Sequence, residues 1–268
     1  MQDAVAAGGE IWLLGCGNMA GAMLSRWLAT GLEPERVTVI RPSGRAPAPG
    51  VRTLTQLPDA PPPALLLLGV KPQRLADVRP AVAAAIGAGT ELVSILAGTE
   101  LAALRAMFPA AGRIVRAMPN TPVALGRGVV ALCGDAGGAA ERLMAPLGHV
   151  EWIPDEARFD AVTALAGSGP AFVFRVIDAL AAAAVALGLD DAQARRLAIA
   201  TVDGAAGLAA SADVSPATLA DRVASPGGMT RAGLDVLDEE GRLARLFEDT
   251  LAATAARGRA LAAATRPD

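Results

Sequence analysis

The stretch Ile11-Trp-Leu-Leu-Gly-Cys-Gly-Asn-Met-Ala-Gly21 decides the fold of this chain. Its first four residues are apolar and predict a buried strand, and the residues that follow have the apolar spacing of a helix. The pattern Gly15-x-Gly17-x-x-Ala20 therefore stands between a strand and a helix, which is typical of a dinucleotide-binding turn. In such a turn Gly15 permits the sharp bend, Gly17 leaves room for a pyrophosphate, and Ala20 lets the helix pack closely. An ordinary tight turn with two glycines is the alternative.

The composition indicates a globular chain with one or two full hydrophobic cores. Of its 268 residues 53% are hydrophobic and 19% are charged, and the net charge of -3 gives no reason to expect nucleic acid. Residues 1–10 lack the pattern of a signal peptide. The longest apolar runs, 64–70 and 179–187, fall well short of the ~18 residues of a membrane span. Two cysteines and one histidine do not make a standard zinc site. We therefore expect a cytoplasmic protein with no metal, no nucleic-acid partner and no membrane partner.

Strand-like and helical segments alternate from residue 11 to residue 153, with Thr99 as the expected N-cap of one helix. From about residue 155 onward every segment has helical spacing. We predict an α/β fold with a Rossmann-type, doubly wound sheet over residues 1–155. An all-α domain follows over residues 156–268. Its alanine-rich helices favour packing against a second copy of the chain, and a self-contained helical bundle is the alternative.

The residues that follow the predicted strands define a candidate site. Ligands of doubly wound sheets bind beyond the carboxyl ends of the strands, and Lys71, Ala97 and Asn120 each follow a strand. The second strand is followed by no acidic residue. Arg41, Ser43 and Arg45 stand there instead, which favours the 2′-phosphate of NADPH over the free ribose of NADH. An ordinary solvated loop is the alternative.

Two glycine–proline segments interrupt the helical half. They are Gly167-Ser-Gly-Pro170 and Ser225-Pro-Gly-Gly-Met-Thr230, and their presence beside a nucleotide domain favours ligand contact. The backbone N–H groups of the second segment, with Thr230 beside them, suit a small carboxylate. Plain kinks or turns are the alternative.

The chain has no Tyr, a single Lys and a single His, so the usual proton donors of a carbonyl reductase are scarce. The inventory favours reduction of a C=N bond over a C=O bond, because a protonated imine is already electrophilic.

Taken together, these motifs resemble those of the pyrroline-5-carboxylate reductase family. The matching segments cover nearly the whole chain: Gly15–Ala20, Val70–Gln73, Val93-Ser94 with Ala97-Gly98, Arg116–Pro122, Ala164–Phe172 and Val223–Thr230. The resemblance implies NAD(P)H-dependent reduction of 1-pyrroline-5-carboxylate to L-proline, the last step of proline biosynthesis. The charges after the second strand favour NADPH as the cofactor, with NADH as the alternative. The resemblance also implies a homo-oligomer built from dimers through the C-terminal helical domain.

The resemblance carries over to individual residues. It implies that Thr230 is catalytic, with its hydroxyl facing the ring nitrogen of the substrate. The implied substrate contacts are Ser168, Ser225, Gly227, Gly228, Met229 and Thr230. The implied cofactor contacts are Gly15, Gly17, Asn18, Met19, Ala20, Gln56, Gly69, Val70, Lys71, Pro72, Ala97 and Asn120, the last near the nicotinamide. Arg41 and Ser43 are added as cofactor contacts by the charge argument above.

The sequence departs from the family pattern at three places. Met229 replaces the usual Thr or Ala, Arg41-Pro-Ser43 differs from the common Asn-Arg-Ser, and Gln56 stands where Asn is frequent.

Two other functions stay open. One is a related reductase of another cyclic imine or of a small keto acid, and the other is a non-catalytic NAD(P)-binding regulator.

Overall fold

The computed structural model describes the backbone of residues 9–265 and divides it into two compact units. Residues 9–168 and 254–265 form the first unit, and residues 169–253 form the second. The helical turns up to Ser168 thus belong with the sheet, although the sequence places the domain boundary after residue 155. That boundary stays a prediction.

An eight-stranded sheet in the order β3-β2-β1-β4-β5-β6-β7-β8 is the centre of the first unit. Its strands are β1 (Ile11–Leu14), β2 (Val37–Ile40), β3 (Arg52–Leu54), β4 (Leu65–Leu68), β5 (Glu91–Ser94), β6 (Arg113–Pro119), β7 (Gly128–Gly134) and β8 (Gly148–Trp152). The chain reverses its direction of strand addition between β1 and β4, as in other doubly wound sheets, so the predicted fold class is confirmed. The last two strands depart from the parallel arrangement that the sequence indicates, since β8 runs parallel to β7. β7 runs antiparallel to β6, because residues 120–127 are too few for the crossover that a parallel pair requires.

Helices cover both faces of this sheet. They are α1 (Asn18–Ala29), α2 (Leu75–Ala85), α3 (Leu101–Met107), α4 (Ala140–Met144) and α5 (Phe159–Val162). Successive side chains of β1 belong to opposite cores: Ile11 and Leu13 join one hydrophobic cluster, and Trp12 and Leu14 join the other. This period of two explains why β1 and β4 are apolar throughout, since both of their faces are buried.

The expected N-cap of α3 is wrong. Glu100, not Thr99, occupies that position, and Thr99 is buried just before it. The first backbone N–H of the helix, on Leu101, donates to the carboxylate of Glu156 at 2.8 Å. The acceptor for this N–H is therefore a carboxylate that is distant in the sequence. The sequence instead suggests the hydroxyl of the neighbouring Thr99.

The second unit is helical, as predicted. Its helices are α6 (Gly169–Ala186), α7 (Asp191–Ser211), α8 (Pro216–Arg222), α9 (Met229–Asp238) and α10 (Arg242–Thr265), of which residues 254–265 belong to the first unit. Ser215 caps α8 as expected, because its hydroxyl accepts the N–H of Thr218 at 3.2 Å. Glu240 has a φ of 51° and separates α9 from α10, which the sequence suggests form one helix.

Large apolar side chains are exposed along the helices of the second unit. They include Val173, Phe174, Val176, Leu180, Leu187, Leu197, Ile199 and Leu208. The helical run Glu156–Ala186 contains an 18-residue window of mean hydropathy 1.6 that is not buried, so by length and composition it could cross a membrane. Arg175 and Asp178 break this window into apolar runs too short to be recognised from the sequence as a span. An exposed apolar surface of this extent indicates an interface.

Candidate active site

The turn between β1 and α1 has the geometry that its glycines predict. Gly15 has a φ of +87°, which L side chains rarely adopt, and its N–H donates to the carbonyl of Ile40 at 2.8 Å. A Cβ at Gly15 would lie 2.7 Å from the carbonyl oxygen of Gly69 and 2.9 Å from the backbone nitrogen of Val70. The turns after β1 and β4 therefore touch through backbone atoms at the switch point of the sheet.

The next glycine faces open space. A Cβ at Gly17 would meet nothing within 4 Å, and α1 begins directly after it with no acidic residue in its first turn. Ala20 is buried, and its Cβ would lie 3.3 Å from a Cβ placed on Gly69. Asn18 is exposed and Met19 is half-buried on the first turn of α1. The N-terminus of α1 thus offers free N–H donors and room for a pyrophosphate.

Residues after β2 and β3 lie on the same edge, because these strands run parallel to β1. Arg41 follows β2, and its backbone N–H donates to Leu54 at 2.9 Å. Burial raises the pKa of the Cys16 thiol, and the positive charge of Arg41 opposes that shift, so this charge acts on the glycine turn. Ser43 and Gln56 are exposed beyond the strand ends. A cation and two polar side chains therefore extend the edge at the end where an adenosine would lie.

The turns after β4 and β5 continue this edge. Gly69 donates its N–H to Leu14 at 2.8 Å, and Val70 is half-buried beside it. Lys71 is exposed and precedes a single 3-10 turn that begins at Pro72. Ala97 is exposed after β5. The structure thus places the predicted cofactor residues along one edge of the sheet, and their contact with a cofactor stays a prediction.

Asn120 also lies at this edge, directly after β6, but its side chain is hydrogen-bonded within the protein. It is 6% exposed, its Nδ2 donates to the carbonyl of Ala166 at 2.9 Å, and its Oδ1 accepts the N–H of Val129 at 2.8 Å. Ala166 lies in a π-helical turn, Thr163–Gly167, between α5 and Ser168. Such turns are frequent at functional sites.

Sequence reasoning missed a partly buried ion pair near this edge. The guanidinium of Arg116, on β6, binds the carboxylate of Glu156 and lies 4.4 Å from the ring centroid of Phe159. These contacts fasten the segment that leads to the π-helical turn onto the sheet. Arg116 and Glu156 are 40 residues apart, so nothing in the local sequence pairs them.

The second group of predicted site residues forms one turn on the second unit. Pro226 and Gly227 are the central residues of a β-turn closed by the Gly228 N–H and the Ser225 carbonyl at 2.9 Å, with φ +70° at Gly227. This is the pattern of a type II turn. A Cβ at Gly228 would lie 2.6 Å from the Ser225 hydroxyl oxygen and 3.0 Å from the Ser225 carbonyl oxygen, so a larger residue there would displace the serine hydroxyl.

Gly228 is also the N-cap of α9. No side chain caps the helix and no acidic residue lies in its first turn. Met229 is 94% exposed and Thr230 is exposed beside it. Arg231 holds α9 to α8 through Asp221 at 2.7 Å. The free N–H groups and the Thr230 hydroxyl have the chemistry that a small carboxylate requires, and their contact with a substrate stays a prediction.

Among residues 9–260, whose side chains the structure describes, no group of three or more His, Cys, Asp or Glu residues is placed to hold a metal ion.

The fold and the sheet edge define a dinucleotide-binding protein of the Rossmann type. Residues 156–261 match the family described as pyrroline-5-carboxylate reductase dimerisation. A pyrroline-5-carboxylate reductase of Pseudomonas aeruginosa is 36% identical over 265 residues, which cover 94% of this chain and 97% of that protein. The chain belongs to the pyrroline-5-carboxylate reductase family.

Solved structures agree with this assignment. A pyrroline-5-carboxylate reductase from Coxiella burnetii has a TM-score of 0.84 at 31% identity and covers 94% of this chain and 98% of its own. A Plasmodium falciparum pyrroline carboxylate reductase with NADP bound has a TM-score of 0.81 at 22% identity, covers 95% of this chain and 98% of its own, and shows the shared fold.

Proposed function

We propose that this chain catalyses the NAD(P)H-dependent reduction of 1-pyrroline-5-carboxylate to L-proline. The observation that carries the proposal is the 36% identity to a pyrroline-5-carboxylate reductase over nearly the whole of both chains. Both units take part in that similarity. The open glycine turn of the first unit and the uncapped helix start of the second add two sites of matching chemistry.

The sheet edge fits a phosphorylated dinucleotide, which supplies the hydride when it is bound. Gly15 and Gly17 leave the backbone accessible, and the N-terminus of α1 would hold the pyrophosphate. The cation of Arg41 and the hydroxyl of Ser43 would bind a 2′-phosphate, which supports NADPH as the preferred cofactor. The absence of an acidic residue at this strand end also supports NADPH, since NADH sites commonly use one there.

The turn before α9 fits the substrate carboxylate. Its negative charge would lie against the N–H groups of Met229 and Thr230, where the helix dipole is favourable. The Thr230 hydroxyl would bind the ring nitrogen, which keeps its proton while the neighbouring carbon receives the hydride. No further acid is required, because the protonated imine is already electrophilic, and positioning supplies most of the catalysis. Met229 would contribute its backbone, so we expect its side chain to matter little.

We propose that a second copy covers the exposed apolar surface and that dimers formed in this way assemble further. The match to the family's dimerisation region, residues 156–261, includes the apolar helix α6 and supports this occupant over a membrane. We likewise propose a cytoplasmic enzyme with no nucleic-acid partner. Light scattering tests the assembly: we expect a dimer or a multiple of one, and a strict monomer at micromolar concentration would contradict it.

A substrate panel tests the reaction. Nicotinamide absorbance is followed with NADPH and with NADH in the presence of 1-pyrroline-5-carboxylate, a six-membered cyclic imine and a small keto acid. We expect saturable oxidation with the five-membered imine, with the higher kcat/KM for NADPH. Faster turnover of another substrate would identify a related reductase. Nucleotide binding without any turnover would identify the regulator.

A further inference from the structure

Asn120 is placed to hold three segments together at the carboxyl end of β6. Its backbone N–H donates to Val129 at 3.1 Å and its Oδ1 accepts the Val129 N–H at 2.8 Å, so it fixes the start of β7 from both directions. Its backbone carbonyl accepts the N–H of Val123 at 3.2 Å, within the connection between the two strands. Its Nδ2 donates to Ala166 at 2.9 Å. Both ends of the buried amide are therefore engaged.

The bond to Ala166 has a cause in the sequence. In a continuous α-helix the carbonyl of Ala166 would accept the N–H of residue 170, but that residue is a proline and has none. The helix loosens there into the π-helical turn, in which the Ser168 N–H donates to Thr163 at 3.1 Å. The amide of Asn120 supplies a donor that Pro170 cannot supply.

The same turn lies close to β6. A Cβ at Gly167 would lie 3.1 Å from the sulfur of Met118, so the missing side chain lets the turn approach the strand. Asn120 and Gly167 thus set the distance and the orientation of the backbone that leads into Ser168. A buried amide that is fixed at both ends holds one geometry, because any shift would leave a polar group without its partner.

We propose that Asn120 is a positioning residue, which ties the π-helical turn Thr163–Gly167, and with it Ser168, to the carboxyl edge of the sheet. In this role its side chain orients the active site without binding the cofactor. The catalytic part of this inference rests on the proposed reductase function. The structural part, that Asn120 holds the π-helical turn against the edge of the sheet, does not depend on the reaction.

The variant Asn120→Asp tests the role, because the new side chain has almost the same shape and keeps the acceptor for Val129 but loses the donor to Ala166. We expect kcat to fall ~10-fold or more while the Kd for NADPH changes less than ~2-fold. We also expect faster amide hydrogen exchange across residues 163–168, where the tether is lost.

The chain contains one other asparagine, Asn18, which provides the matched control. It is exposed on the first turn of α1 beside the predicted pyrophosphate site. Asn18→Asp should raise the Kd for NADPH ~10-fold through charge repulsion and leave exchange across residues 163–168 unchanged. The two identical substitutions therefore separate cofactor binding from positioning.

A second substitution tests the hydrogen bond itself. Pro170→Ala gives residue 170 a backbone N–H that can donate to the carbonyl of Ala166. When it is added to Asn120→Ala, it should restore the protection of residues 163–168 from hydrogen exchange and raise kcat at least ~3-fold over Asn120→Ala alone. The proposal is overturned if Asn120→Asp raises the Kd for NADPH as Asn18→Asp does, or if exchange in the turn does not change. Absence of turnover by the wild-type protein would refute the reductase function. The hydrogen-exchange comparison would still test whether Asn120 holds the π-helical turn in place.

Discussion

Replacing Gly15 with alanine should destabilise the turn between β1 and α1 through both backbone strain and steric overlap. The φ of +87° costs an L residue about 1–2 kcal/mol, and a Cβ at 2.7 Å from the Gly69 oxygen overlaps backbone that side-chain rotation cannot move away. Overpacking of this kind adds roughly 1–3 kcal/mol. We therefore expect Gly15→Ala to lower the free energy of unfolding by about 3 kcal/mol.

The same substitution two residues later should behave differently. A Cβ at Gly17 meets no atom within 4 Å, and the backbone there has a φ of -80°, which alanine adopts freely. Gly17→Ala should leave stability unchanged within about 0.5 kcal/mol. It should still raise the Kd for NADPH by roughly 10-fold or more, because the methyl group occupies the space that the pyrophosphate needs.

Thermal unfolding and cofactor titration of both variants make the comparison. At about 2–4 °C per kcal/mol for a domain of this size, Gly15→Ala should lower Tm by about 6–12 °C. Gly17→Ala should keep the wild-type Tm and lose affinity for NADPH. A wild-type Tm for Gly15→Ala would refute the close backbone approach, and wild-type affinity for Gly17→Ala would refute the pyrophosphate site.

Three further predictions follow from single contacts. Arg41→Ala should lower kcat/KM for NADPH ~10-fold and for NADH less than ~2-fold, and equal losses would remove Arg41 from 2′-phosphate recognition. Thr230→Ala should lower kcat/KM ~10- to 100-fold, the loss of one hydrogen bond of roughly 1.5–3 kcal/mol, and wild-type kinetics would exclude it from the mechanism. The hydrogen bond from Arg105 holds the pKa of Asp135 below its ordinary value, so this pair stabilises the fold above that value and the stabilisation is lost as the pH falls through the lowered pKa. The Tm difference between wild type and Asp135→Asn should therefore be present at neutral pH and disappear in acid once Asp135 is protonated, whereas a difference that persists after protonation would contradict the assignment.

The sheet was largely predictable because its information is local. The strands β1 and β4 are uninterrupted apolar runs, and glycine or proline marks the turns that follow them. The glycine turn could be read in the same way, since the roles of Gly15, Gly17 and Ala20 depend on their spacing alone.

Features that depend on distant partners could not be predicted. Glu156 replaces the expected cap on α3 from 55 residues away, and no local pattern indicates that contact. The sequence analysis placed Asn120 near the nicotinamide, but its contacts with Val129 and Ala166 appear only when the strands and the π-helical turn are assembled. The antiparallel β7 follows from the length of a connection, which becomes informative only once both strand ends are known.

We propose that this chain transfers a hydride from NADPH to the imine carbon of 1-pyrroline-5-carboxylate. The most direct test supplies NADPH that carries deuterium at the transferred position of the nicotinamide and identifies the product by mass spectrometry and NMR. We predict L-proline with one deuterium on the carbon that belonged to the C=N bond. Unlabelled proline, or labelled cofactor that is not consumed by the folded protein, would contradict the account.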